Sequence, residues 1–352
     1  MASPTATPAF GVLISLQSTP DTGPTTADLY RTLPGLARDL ERWGYDSVFF
    51  TEHHGSSTNE VASPLVVGAA VAAVTEQIRI GSVVAIPAFY HPVRLAEDVS
   101  TLDNLSAGRV TLGLGMGYRP SEFEGFGINP QEKLSRFIES QEIVRKALSG
   151  RPFDFTGKRY QLRNVVISPP PIQRGLPVWV GAQRRPGLER AGRLGLAVPL
   201  SGAPLTIAIR QRAIYDGALS AAGFSPGVVE YPVIRECFCA ATDEEAWKIA
   251  DPYITEQSAE YARHNQVIDT VAGDLPFDPD RMLIGSPATL VREFRRHHRR
   301  LPCDHWILRM HFPGMPLAVM RRSMALLAAE VLPALRSDWA TSATVNAGYQ
   351  RR

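Results

Sequence analysis

The chain has 352 residues, 44% of them hydrophobic, and 37 basic against 35 acidic side chains give a formal net charge of +2. That is enough apolar material for one large domain or two average ones. The near-neutral balance excludes a bulk electrostatic drive toward nucleic acid or anionic membrane.

Cys237, Cys239 and Cys303 are too few for a disulfide scaffold and suit a reducing compartment. The start MASPTATPAF has neither the basic lead nor the apolar core of a secretory signal. No apolar run approaches the ~20 residues of a membrane span. A cytoplasmic protein is expected.

In chain order, residues 10–16 are apolar and predict a first strand. Helical spacing of Leu29, Leu33, Leu36 and Leu40 predicts a helix over 26–43, stopped by Gly44. Strand and helix then alternate: strands at 46–51, 79–86 and 110–115, helices at 62–76, 93–105 and 131–148. The rhythm breaks at 152–162, where alternation around Thr156-Gly157 predicts a small hairpin. Strands follow at 178–180, 196–199, 231–240 and 305–309, with helices at 186–194, 203–222, 287–300 and 316–335 and an acidic helix start at Asp243.

Residues 261–281 lack periodicity and predict an insertion or a lid. His264 lies in it and would reach the site only if the segment folds over as a lid. Eight strands alternating with helices require a parallel sheet with right-handed crossovers. The expected fold is therefore a single (β/α)8 barrel, or TIM barrel, with insertions at its C-terminal mouth. The expected division is a leader over 1–9, the barrel over 10–335 and a frayed tail over 336–352.

The second, third and fourth strands run into chemically loaded residues: Glu52-His53-His54, then the Pro87–Arg94 segment, then Gly113–Gly117. A barrel presents its active site at these strand ends. The glycines read GxGxG and are followed by Arg119-Pro120, which does not make a dinucleotide fingerprint. No metal-ligand cluster appears beyond His53-His54, so no metal is expected. His53 suits proton transfer near neutral pH; the structural alternative is a rim histidine bonded to Glu52. The basic run over 292–300 reads as a solvated helix face.

These segments, with Leu102-Asp103 through Gly108-Arg109, Phe123 through Gly127, Pro177 through Ala182 and Glu330 through Pro333, resemble the bacterial luciferase-like flavin monooxygenase family. The resemblance covers roughly residues 10 to 335. It implies a TIM barrel whose mouth holds reduced FMN, with dioxygen as the second substrate and an organic molecule as the third. It implies a catalytic role for His53, with Glu52 beside it. Val83, Val84 and Ala85 would pack on the isoalloxazine ring, often through a non-prolyl cis peptide, and Met116, Gly117 and Tyr118 would lie against the cofactor.

Gly181, Ala182, Arg184 and Arg185, at a helix start, would hold the phosphate through backbone N–H groups and charge. Met116 departs from the flavin-binding luciferase subunit, which has an arginine there; Arg184, Arg185 or Arg119 would have to supply the charge. His91 and Arg94 match positions that support the fold.

The family reading implies a two-component enzyme served by a separate flavin reductase, and a homodimer through the second and third helices. The rival readings are an F420-dependent oxidoreductase on the same barrel and a non-catalytic flavin-binding homologue.

Overall fold

The computed structural model describes residues 7–19, 23–225, 227–263 and 280–339. The first half runs β1 (Ala9–Ile14), α1 (Thr26–Arg42), β2 (Ser47–Phe50), α2 (Pro64–Ala72), β3 (Arg79–Ala85), α3 (Pro92–Leu105), β4 (Val110–Leu114), α4 (Pro120–Gly125) and α5 (Lys133–Leu148). Next come the hairpin β5 (Phe153–Thr156) and β6 (Gln161–Val165), then β7 (Val178–Val180), α6 (Arg185–Arg193) and α7 (Leu205–Ala221). The remainder is β8 (Pro232–Cys239), α8 (Asp243–Arg263), β9 (Met282–Gly285), α9 (Pro287–Arg300), β10 (His305–Arg309) and α10 (Leu317–Leu326).

Seven strands and a ninth-strand extension form one parallel sheet in the order β7-β4-β3-β2-β1-β10-β8-β9. The ring closes through two isolated parallel bridges, Trp179 with Ala197 and Leu200 with Val233. The segment 196–200 is thus the sixth stave of a (β/α)8 barrel. It was expected as a regular strand, but it makes only these two bridges.

The strands are buried on both faces, which is why they read as continuous apolar runs. Inward-facing Leu13, Phe49, Val83, Trp179, Ala197, Ile234 and Ile307 fill the interior as one cluster. Below them a polar layer plugs the N-terminal end. Arg79 donates to Glu230 at 2.8 Å, Trp179 Nε1 donates to Glu230 at 3.0 Å, and His305 Nε2 sits 2.7 Å from Ser47 Oγ.

Local chemistry sets the helix ends. Thr25 caps α1 by accepting from the Asp28 N–H at 3.1 Å. Near the other end of α1, Glu41 accepts the N–H groups of Gln77 and Ile78 at 2.6 and 2.9 Å, which seats the turn into β3. Arg109 fans into the carbonyls of Ser106, Thr75 and Ile78 at 2.6, 2.9 and 2.8 Å. Asp103 accepts from the Gln173 backbone at 2.9 Å. The Leu102–Arg109 motif is therefore a brace for the loop into β4.

Three further departures from the sequence expectations stand out. β9 lies at residues that the sequence reading assigned to no element, just after the irregular segment 261–281; a four-residue run before the Ser286-Pro287 helix start is too short a signal. α8 continues to Arg263, while 264–279, including His264, lie outside the described residues. The helical run that includes α10 passes through a π turn at Leu327–Val331 and continues to residue 339. Residues 336–339 are therefore not tail: Arg336 pairs with Asp46 at 2.9 Å and Trp339 stacks on Phe10.

Candidate functional site

The mouth is built on the strand ends. β2 stops at Phe50, and the chain runs on through Thr51, Glu52, His53 and His54. His53 is 9% exposed, with Nδ1 3.1 Å from Glu122 Oε1 and Nε2 3.7 Å from Glu60 Oε2. Tyr118 meets its ring edge-on, centroids 5.6 Å apart. Glu122 comes from α4, a helix absent from the sequence reading because Pro120 looked like a breaker. Proline is at home in the first turn of a helix, and Pro120 is the first residue of α4.

Glu52 does not contact His53 in the way expected. Its Oε1 lies 2.9 Å from His54 Nε2 and its Oε2 accepts the Ile86 N–H at 2.8 Å. Burial pushes this carboxyl above its ordinary range, against those contacts and a hydrogen bond from Tyr90. Glu122 goes the other way: burial opposes its charge, but His53, the His54 N–H and Arg119 together hold it below the usual carboxylate range. Neighbouring residues in sequence are thus split between two carboxylates, His54 to Glu52 and His53 to Glu122.

Arg119 was a candidate for cofactor phosphate. It is 1% exposed and paired with Glu60 at 2.8 Å, so its charge is committed inside the wall. His54 also holds a rim of aromatics: Phe126 and Phe89 meet its ring edge-on at 4.7 and 5.2 Å and stack on each other at 4.5 Å. Phe123 packs beneath them.

On the next two staves, the Val83–Val84 peptide is cis, as the family resemblance implied. The β3–β4 register shifts between Ser82 and Ala85. Val84 lies against three glycines: a Cβ on Gly115 would overlap Val84 Cγ2, and a Cβ on Gly113 or Gly181 would lie 3.4 Å from Val84 Cγ1. Gly117 takes φ +74°, which favours glycine, and brings the chain round to Tyr118.

The loop after β7 carries Gly181, Ala182, Gln183 and Arg184 into α6. Gly181 N–H bonds to Leu114 O at 2.8 Å, and the Gln183 carbonyl is held by Gln211 at 2.9 Å. The amides of Ala182, Gln183 and Arg184 make no hydrogen bond to any described residue. Open amides at a helix start, next to an exposed Arg184, fit an anionic group. Arg185 is turned along the helix to Glu189, 3.2 Å away.

A family model described as luciferase-like monooxygenase matches residues 9–300. The chain belongs to the luciferase-like monooxygenase family. A 4-hydroxyprotoasukamycin monooxygenase of Streptomyces nodosus subsp. asukaensis is 35% identical over 183 residues, 49% of this chain and 47% of that protein. The chain spans about half the length of the curated relatives it matches. The monooxygenase RslO1 of Streptomyces bottropensis superposes with a TM-score of 0.81 at 26% identity, over 92% of this chain and 99% of that one.

The oxygenating constituent of 3,6-diketocamphane monooxygenase from Pseudomonas putida, solved with FMN, shares the fold. Its TM-score is 0.75 at 21% identity, with 93% of this chain and 98% of that one covered. Within this luciferase-like frame, the expected His53, Val83–Ala85, Met116–Tyr118 and Gly181–Arg185 lie on four staves of one barrel. His91 stands apart, edge-on to Tyr160 of the hairpin turn, and Arg94 pairs with Asp98 on α3.

Proposed function

We propose that the protein is an FMN-dependent monooxygenase that takes reduced flavin from a separate reductase and uses dioxygen to oxygenate a small organic molecule. The observation that carries this reading is the buried His53, set between two carboxylates at the barrel mouth, with the open amides of the 182–184 loop on another stave of the same barrel. The bound flavin would supply the oxygen activation. The chain's own residues do the rest. Val83, Val84 and Ala85 give the ring an apolar bed, Met116, Gly117 and Tyr118 line its edge, and the amides of Ala182, Gln183 and Arg184 take the phosphate with the Arg184 side chain, while Gly181 and Arg185, bonded to Leu114 and Glu189, shape the loop around it. His53 moves a proton at Nε2, and Glu52 holds His54 and the Ile86 amide in place. Phe89, Phe123 and Phe126 keep the rim apolar and exclude water.

An F420-dependent hydride transfer on the same barrel is the second reading. Arg184 and the three arginines of α6 could meet that cofactor's longer anionic tail. Anaerobic titration with reduced FMN, oxidised FMN and F420 separates the two. Tight preference for reduced FMN, followed by 18O from labelled dioxygen in a product, supports the oxygenase. Preference for F420, or no oxygen incorporation with any candidate substrate, overturns it.

We also propose a homodimer through α2 and α3. The outward side of α2 is apolar, with Val66 71% exposed, and Leu105 at the end of α3 is 62% exposed, so this face gains from being covered. No helix among the described residues is long and apolar enough to cross a membrane; a cytoplasmic location is part of the same proposal.

A further inference from the structure

The ring nitrogens of His53 face two carboxylates of different character. Glu122 Oε1 is within hydrogen-bond distance of Nδ1, at 3.1 Å, and its side chain is fully buried. It also accepts the His54 backbone N–H at 2.9 Å, so the oxygen is already an acceptor fixed in space. An ionised carboxylate can only accept, which places the hydrogen on Nδ1. Glu60 is different. Its Oε1 is taken by Arg119 at 2.8 Å, while its Oε2 has no hydrogen-bond partner and stands 3.7 Å from Nε2. That distance is too long for a hydrogen bond but short enough for charge to be felt.

We propose that Glu122 is a positioning residue for His53: it fixes the Nδ1–H tautomer and so reserves the Nε2 lone pair for proton transfer, with the Glu60–Arg119 pair facing the imidazolium that results. The inference rests on the reading of His53 as the acid–base group. In the step, the Nε2 lone pair forms an N–H bond with a proton from the bound organic molecule, and the electron pair of the broken bond stays on that molecule. The positive charge gained by the ring is matched by Glu122 on one side and Glu60 on the other.

Among the described residues, the charged and titratable groups around the ring come from two segments. Glu52, His54 and Glu60 belong to the segment after β2; Tyr118, Arg119 and Glu122 belong to the segment after β4 and to α4. Glu52 is turned away to His54 and Ile86, so it does not compete for Nδ1. The arrangement repeats the logic by which a carboxylate orients a histidine in hydrolases and metal sites, where loss of the orienting group costs about 10- to 100-fold or more. Sequence reading pointed to Glu52, the adjacent residue, and missed Glu122 because the link spans 69 positions.

The test is long-range 1H–15N NMR on protein labelled at histidine nitrogen, without flavin, at a pH where the ring is neutral. The parent protein should show His53 as a single Nδ1–H tautomer. Glu122→Met, similar in length and unable to accept, should give a mixture of tautomers, and Glu122→Asp should recover part of the single form. In turnover, Glu122→Met should lower kcat about 10- to 100-fold with KM changed less than twofold.

A parent His53 in the Nε2–H form overturns the proposal, and so does an unchanged single tautomer in Glu122→Met. The parent spectrum decides even where the variant fails to fold. If the tautomers behave as stated but His53→Ala keeps full turnover, the positioning stands and the catalytic role of His53 falls.

Discussion

Gly115 offers the sharpest test of how the proposed flavin bed around Val84 is built. A Cβ at this position would overlap Val84 Cγ2 and lie 3.2 Å from Val84 Cβ. Valine has one branched rotamer to change, and the way out is narrow: Cγ1 already lies 3.4 Å from where a Cβ on Gly113 or Gly181 would stand. Relief in Gly115→Ala therefore has to come from moving backbone on β3 or β4. Overpacking of this kind costs about 1–3 kcal/mol.

For a chain of this size, roughly 2 °C of Tm follows each kcal/mol, so Tm should fall by about 2–6 °C. Affinity for reduced FMN should fall with it, since Val84 is the residue that has to move. Differential scanning fluorimetry on Gly115→Ala, Val84→Ala and the double variant measures the effect. Removing the valine methyls should give back most of the loss, so the double variant should be more stable than the sum of the singles predicts by about 1 kcal/mol. Simple additivity, or a Gly115→Ala protein with the parent's Tm, would show that the contact between these two staves is not close.

Arg119→Met should destabilise the fold by about 3–5 kcal/mol in urea titration, because Glu60 would be left buried without its cation; a loss under about 1 kcal/mol would mean that Glu60 is not held as an ion. His305 is fully buried and its pKa is pushed down to about 4 by burial and by the charge of Arg79. The unfolded chain therefore takes up a proton below about 6.5 that the folded chain refuses until about 4, so stability falls as pH drops through that window, by roughly 3 kcal/mol for this group. Comparing urea midpoints from pH 7 to pH 4 in the parent and in His305→Gln checks this: the variant should lose less over the window, and parallel curves would refute it. Gly35 is exposed within α1 with nothing within 4 Å of an added Cβ. Gly35→Ala should raise stability by about 0.5–1 kcal/mol without touching cofactor binding, and a loss would show that the helix is strained there.

What was legible in the sequence follows from how each signal is encoded. Strands buried on both faces advertise themselves as apolar runs of three to eight residues, and helices through Leu29–Leu40 spacing, so the barrel could be read. The sixth stave was misjudged because an apolar run says that a segment is buried, not that its backbone is paired along its length. α4 was missed because Pro120 has two meanings, breaker and first-turn residue, and only the surroundings choose.

Of the candidate site, His53, the Val83–Val84 peptide and the 181–185 loop could be picked out in the sequence because each is local. The partners could not: Glu122 with His53, Arg119 with Glu60, and Val84 against Gly181 are links between staves, and nothing in a linear spacing announces them. Arg119, offered beside Arg184 and Arg185 for the phosphate charge, is one such case: its partner Glu60 is 59 residues away.

The two bridges that close the ring have a consequence for how the barrel breathes. Seven strands hang together by continuous ladders, while the stave at 196–200 is held at one point on each side. Mechanically this is a curled sheet fastened by a latch. Lifting it breaks three backbone hydrogen bonds to its neighbours and the Tyr215 bond to Leu196 and leaves every ladder intact, so the wall is least tied by backbone pairing between β7 and β8. That seam lies directly beside the loop at 181–185. The same seam is where the barrel would begin to come apart.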